Sequence, residues 1–211
     1  EFTILVETLH EQGFSERTEI ERAYEELDPS IILAKDGFPN WDIFIEEVAG
    51  KLHLTDSMKD RVDEIHSFDN FEIHLLSLTD IFLFKSVTGR EGDLEDATLI
   101  ARQGKVDWEA LFTEIQRQED QTDQYFSFDL LDTLDIIEER EDIQAPIQQR
   151  LASYCLEKGL LITLEEPKTI RDLREELNFP DHQIYNKLRK LEEENKIDVD
   201  RSGKLNTYQV L

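Results

Sequence analysis

The sequence predicts an α+β protein with a strand-bearing first half, a helical middle and a small, mainly helical C-terminal unit that closes in a hairpin. Three observations predict it. Apolar residues recur at helical spacing at Phe2, Leu5, Val6 and Leu9, and again at Leu130, Leu131, Leu134 and Ile137. Apolar runs of strand length, set off by turn residues, occur at 30–34, 41–45 and 71–75. Beyond residue 146, Gly, Pro and Asn punctuate short helical patterns at close intervals.

Composition narrows what such a chain does. Among 211 residues there are 49 Asp plus Glu against 23 Lys plus Arg, a formal net charge of −26 that excludes a generic polyanion binder. Apolar residues make up 39%, 12 of them Phe, which is enough for real cores. The longest apolar runs, such as Ile31–Ala34 and Leu160–Ile162, fall far short of the ~20 residues that span a bilayer, so no membrane partner is expected. The single cysteine, Cys155, has no partner for an internal disulfide, and no basic-then-apolar leader opens the sequence. A cytoplasmic location is expected. Acid spread over nearly every segment fits a surface adapted to multimolar salt, where the Debye length is only about 3 Å at 1 M; the alternative is an ordinary acidic protein that tolerates its own repulsion. The excess is uneven, because residues 168–211 hold nine basic and nine acidic groups.

Taken in order, the first helix ends at Gly13, a plausible C-cap. Ser30–Ala34 and Trp41–Ile45, joined by the turn-rich Lys35-Asp36-Gly37-Phe38-Pro39-Asn40, read as a hairpin. Thr55 caps a short helix through Glu64, Phe71–Leu75 alternates as a strand, and Ser77-Leu78-Thr79-Asp80 opens the apolar helix Ile81–Val87. Gly92–Arg102 and Val106–Gln118 are amphipathic. The polar stretch Gln118–Gln124 marks the expected boundary between a domain at 1–118 and an acidic helical connector at 119–145. The connector's stripe of Leu130, Leu131, Leu134 and Ile137 lies opposite Asp129, Asp132, Asp135, Glu138 and Glu139. The acidic face reads as solvated, and the stripe suits a homodimer packed through the helix at 126–140.

From 146 to 211 the order is a helix over Pro146–Lys158 stopped at Gly159, a helix capped by Thr169 with Ile170, Leu173 and Leu177 inward, and the turn Asn178-Phe179-Pro180. A helix capped by Asp181 then carries Ile184, Leu188 and Leu191, and two short strands follow around Arg201-Ser202-Gly203-Lys204. This pattern resembles a winged helix-turn-helix, in which the second helix of the pair enters the major groove of double-stranded DNA. The outward residues would be His182, Gln183, Tyr185, Asn186, Lys187, Arg189 and Lys190, with Arg201, Ser202, Lys204 and Asn206 on the wing. Gln and Asn read adenine, while Lys and Arg meet phosphate or guanine. Glu192, Glu193 and Glu194 at the helix end favour the other use of this fold, contact with protein.

Catalytic signatures are sparse. There is no phosphate-binding Gly-rich loop and no HExxH motif, and the five histidines stand at no metal-ligand spacing. Asp198-x-Asp200 has the look of a metal pair, but its place before the wing turn reads as a solvated strand edge.

The succession Trp41–Ile45, Phe71–Leu75 and Leu76–Asp96, running LSLTDIFLFKSVTGREGDLED, resembles archaeal nucleotidyltransferase-fold proteins, including minimal and abortive-infection-type members. In that family a Gly-Ser helix leads to an Asp-x-Asp strand, and a neighbouring strand adds a third carboxylate; together these hold two divalent ions and an NTP. The resemblance implies that Asp42 is the third carboxylate and a metal ligand, and that Lys85 and Asp93 make substrate or structural contacts. The Gly-Ser and Asp-x-Asp elements are missing, so no cofactor is expected as the chain stands, while Mg²⁺ and NTP would belong to a complete enzyme. The bare residues also allow a plainer reading, with Arg90, Glu91, Asp93 and Asp96 as a local salt-bridge and capping network.

The expectation is therefore an incomplete nucleotidyltransferase-like domain followed by a DNA-binding, regulatory winged helix. An active nucleotidyltransferase whose Asp-x-Asp strand lies outside this sequence is the alternative, and a protein-interaction module is a further one.

Overall fold

The structure, a computed structural model, describes residues 2–17, 29–45, 47–48, 50–69, 71–122 and 124–211. Residues 18–28, inside the expected first domain, and Asp123, inside the expected boundary stretch, lie outside the described residues. The chain is mixed α+β and forms two compact units, Glu1–Ala145 and Pro146–Leu211.

In the first unit, helix α1 (Phe2–Glu11) ends where the Gly13 amide donates to His10 and the Phe14 amide to Leu9. That pairing requires a left-handed residue, and Gly13 supplies it at φ 86°. The expected hairpin forms from β2 (Ile31–Ala34) and β3 (Trp41–Ile43), with Ile32 opposite Asp42. A short strand, β1 (Ser15–Glu16), pairs with the other edge of β2. Strands β4 (Glu47–Val48) and β5 (Leu52–His53) make a second small hairpin.

The helix expected to run from Thr55 to Glu64 is shorter. Thr55 does cap it, accepting from the Met58 amide, but α2 covers only Asp56–Asp60. Glu64 instead starts strand β6 (Glu64–Ser67), which pairs with β7 (Glu72–Leu75). Every residue of these two strands is exposed, and Phe68 stacks on Phe71 near the tip of the hairpin with ring centroids 4.7 Å apart.

Four helices form the body of the unit: α3 (Leu78–Ser86), α4 (Glu91–Arg102), α5 (Trp108–Gln121) and α6 (Phe126–Glu141). Helix α3 is apolar nearly all round because it is central, packing against α4, α5 and α6. Phe82 on α3 is fully buried and meets Trp108 of α5 edge to face at 5.4 Å. The stretch read as a connector thus carries a helix of the first unit. Leu130, Leu134 and Ile137 are at most 2% exposed, and the Thr133 hydroxyl donates to the Ser86 carbonyl at 2.9 Å. The stripe expected to pair two copies is consumed by the chain's own core, because α3 offers it an apolar face within reach.

The second unit runs α7 (Gln148–Thr163), β8 (Lys168–Thr169), α8 (Ile170–Glu176), α9 (Asp181–Glu193), β9 (Ile197–Asp200) and β10 (Thr207–Val210). Its sheet is antiparallel in the order β8-β10-β9. Helix α7 does not stop at Gly159. A mid-helix glycine costs about 1 kcal/mol, but Leu156, Leu160 and Leu164 form one buried stripe that carries the helix past it. Thr169 and Asp172 make a reciprocal capping box on α8. Pro180 rather than Asp181 occupies the cap of α9, and the Asp181 carboxylate pairs with Arg174 instead. Leu173, Ile184, Leu188, Leu191, Ile197 and Tyr208 close the core.

Among the described residues no helix is long and apolar enough to cross a membrane.

Candidate functional site

Lys85 stands in the last turn of α3 and Asp93 in the first turn of α4, so the short α3–α4 connection brings them face to face. Lys85 Nζ lies 2.5 Å from Asp93 Oδ1 and 2.8 Å from Asp96 Oδ2. Arg90 Nε and the Thr88 hydroxyl donate to Asp93 Oδ2 at 2.6 and 2.7 Å. Burial pushes the Asp93 carboxyl up, but the bonds from Arg90, Lys85 and Thr88 outweigh it and hold the group below the usual carboxylate range. Burial likewise pulls Lys85 down, and its bonds to Asp93 and Asp96 more than restore it. Both groups are charged at neutral pH and committed to each other.

Asp42 reaches the same neighbourhood from β3. Burial pushes its carboxyl up from the ordinary range; Arg90 pulls it down, Asp93 pushes it further up, and Lys85 and Arg17 pull it down. Its Oδ1 is buried without a hydrogen-bond partner among the described residues. The three residues that the family resemblance singled out therefore share one electrostatic environment. They do not fit a two-ion centre, since both Asp93 oxygens are already held by Lys85, Arg90 and Thr88. Among the described residues no group of three His, Cys, Asp or Glu side chains could hold a metal ion. Beside this knot lies a cleft of about 370 Å³ between the α3–α4 turn and α6, lined by Lys85, Arg90, Leu94, Asp132 and Arg140.

Sequence reading missed a second ionic cluster. Arg61, just past α2, donates from Nε to both Asp80 oxygens at 3.0 and 2.9 Å and from Nη2 to Glu114 at 3.1 Å. Glu114 also accepts from Thr55 at 2.7 Å and Ser57 at 2.6 Å, while Ser77 donates to Asp80 at 2.7 Å. Both carboxylates have side chains only 1% exposed. Glu114 and Asp80 sit on faces of α5 and α3 that turn inward, and no local spacing links them to Arg61. The cluster is closed and fully partnered, which marks it as structural.

In the second unit, the helical period of α9 sends Ile184, Leu188 and Leu191 into the core and turns His182, Gln183, Tyr185, Asn186, Arg189 and Lys190 to solvent. Lys187 departs from the expectation. Three residues after Ile184, it falls on the inward side, where its side chain is 11% exposed and its ammonium meets Ser153 at 2.9 Å and Glu157 at 3.3 Å on α7. Glu157 also takes Lys196 at 2.7 Å, so Lys187 helps to pin α9 to α7 and does not face a ligand. Arg201, Ser202, Lys204 and Asn206 lie exposed in the β9–β10 connection. Asp198 and Asp200 are exposed as well, and Asp200 accepts from the Ser202 amide at 2.8 Å.

Comparison with protein-family models, with curated proteins and with solved structures finds no match to this chain.

Proposed function

We propose that the Pro146–Leu211 unit is a winged helix-turn-helix that binds duplex DNA through α9 and the β9–β10 turn, and that the protein is a regulatory DNA-binding protein. One observation carries this. The first two turns of α9 expose His182, Gln183, Tyr185 and Asn186 side by side, a row of hydrogen-bonding groups at the helix end that enters a major groove first. The unit is also nearly neutral, with eleven basic against twelve acidic residues, while the first unit carries the remaining −25. Repulsion from that excess makes base contacts matter more than backbone attraction.

The test is a titration of the whole chain against a random duplex pool, with enrichment of bound sequences. Asn186→Ala and Gln183→Ala should each cost about 1–3 kcal/mol at one base position and relax the preference there. Lys187→Ala should leave the salt slope unchanged. A pool that shows no enriched sequence sinks the DNA reading and leaves protein contact.

A second reading, a nucleotidyltransferase-like first unit, is favoured by the convergence of Asp42, Lys85 and Asp93. With these residues alone, calorimetry with NTP and Mg²⁺ should show weak or no binding; robust binding abolished by Asp42→Ala would make that unit the active one.

A further inference from the structure

Three of the cations that would meet phosphate already hold carboxylates. Arg201, in the β9–β10 connection, places Nη2 2.7 and 2.8 Å from the two oxygens of Glu192, nine residues away near the end of α9. Arg189 Nε donates to Glu193 at 3.0 Å, and Lys190 Nζ lies 3.5 Å from Glu194. Three consecutive glutamates thus hold three of the basic groups of the proposed DNA-facing surface. A carboxylate engages a guanidinium as a phosphate does, through charge-assisted bonds to two oxygens or one.

We propose that Glu192, Glu193 and Glu194 act as an internal competitor for the DNA backbone, occupying Arg201, Arg189 and Lys190 until phosphate displaces them. The inference rests on the DNA-binding reading above. Each exposed pair is weak enough to exchange, worth at most about fivefold in binding. Exchange has a distinct ionic signature. A cation that moves from solvent to phosphate releases a counterion from DNA, adding about 0.9 to the salt slope. When it leaves a carboxylate to do so, the freed carboxylate takes up a cation, and the net release is close to zero. This surface should therefore bind DNA with a salt slope about three below its number of phosphate contacts, and recognition should fall more heavily on the α9 base contacts.

The experiment uses the whole chain and a labelled random-sequence duplex, followed by anisotropy across a KCl series. The triple variant Glu192→Gln, Glu193→Gln, Glu194→Gln should bind about tenfold tighter at low salt and with a slope steeper by two to three. Loss of negative charge at a helix C-terminus favours the helix dipole, so the variant should stay folded. Asp198→Asn, which removes one charge from the neighbouring strand without freeing a paired cation, should leave the slope unchanged. In a cycle of Glu192→Gln with Arg201→Ala, the arginine should matter severalfold more once Glu192 is gone. An unchanged slope in the triple variant, or independent effects in the cycle, overturns the competitor while the DNA reading stands. Failure of both wild type and triple variant to bind overturns the two together.

Discussion

Arg61 is the residue on which the interior of the first unit most depends. It bridges Asp80 and Glu114, two carboxylates almost wholly removed from water, and the second cation of the cluster, Arg117, lies 3.5 Å from Glu114. Removing one partner of such a cluster leaves uncompensated buried charge, which costs about 3–5 kcal/mol. Arg61→Ala should lower the melting temperature of the first unit by many degrees, measured by calorimetry, whereas Arg171→Ala, which breaks an exposed pair with Glu175, should change little. The same cluster sets an acid limit. Burial raises the Glu114 carboxyl, but the bonds from Ser57, Thr55 and Arg61 outweigh it and depress the pKa in the fold. A depressed folded-state pKa stabilises above the unfolded value, near pH 4.3, and this stabilisation is lost as pH falls through the folded value. Acid unfolding followed by circular dichroism should accordingly steepen below about pH 4. A melting temperature of Arg61→Ala equal to that of wild type would show the cluster to be idle.

At the scale of elements, local chemistry was legible wherever the signal lay within a few residues. The Thr169 capping box, the hairpin of β2 and β3, and the inward stripe of α9 all follow from spacing and turn residues. The misreadings share one cause, competition from contacts distant in sequence. Gly159 looked like a stop, yet the core contacts of Leu160 and Leu164 outweigh its propensity. Glu64 looked helical by continuation from Thr55, yet Glu64–Ser67 finds a ladder with Glu72–Leu75. The α6 stripe suits a second copy by its spacing, yet the chain's own helices bury it, because periodicity reports that a face is buried and not against what. Lys187 reads as a surface cation from its charge, although its position three residues from Ile184 places it on the inner side of the helix.

Over the whole molecule, the charge is the dominant fact. With −25 in the first unit and −1 in the second, self-repulsion acts mainly on the first. The melting temperature of the first unit is expected to rise strongly between low salt and multimolar KCl, and that of the second to rise little, as read by differential scanning calorimetry. A first-unit melting temperature flat over that range would assign the acid to an ordinary surface rather than one adapted to salt. The sequence by itself determined the α+β class, the start of the C-terminal unit at residue 146, and the helix face that carries Gln183 and Asn186. All three rest on composition and on periods of two or 3.6 residues, which act within one element. Only the tertiary structure decided that α6 belongs to the first unit, that Arg61 joins Asp80 and Glu114, and that Glu192 holds Arg201. Those outcomes depend on which elements meet, and a charge or an apolar stripe in the sequence does not name its partner.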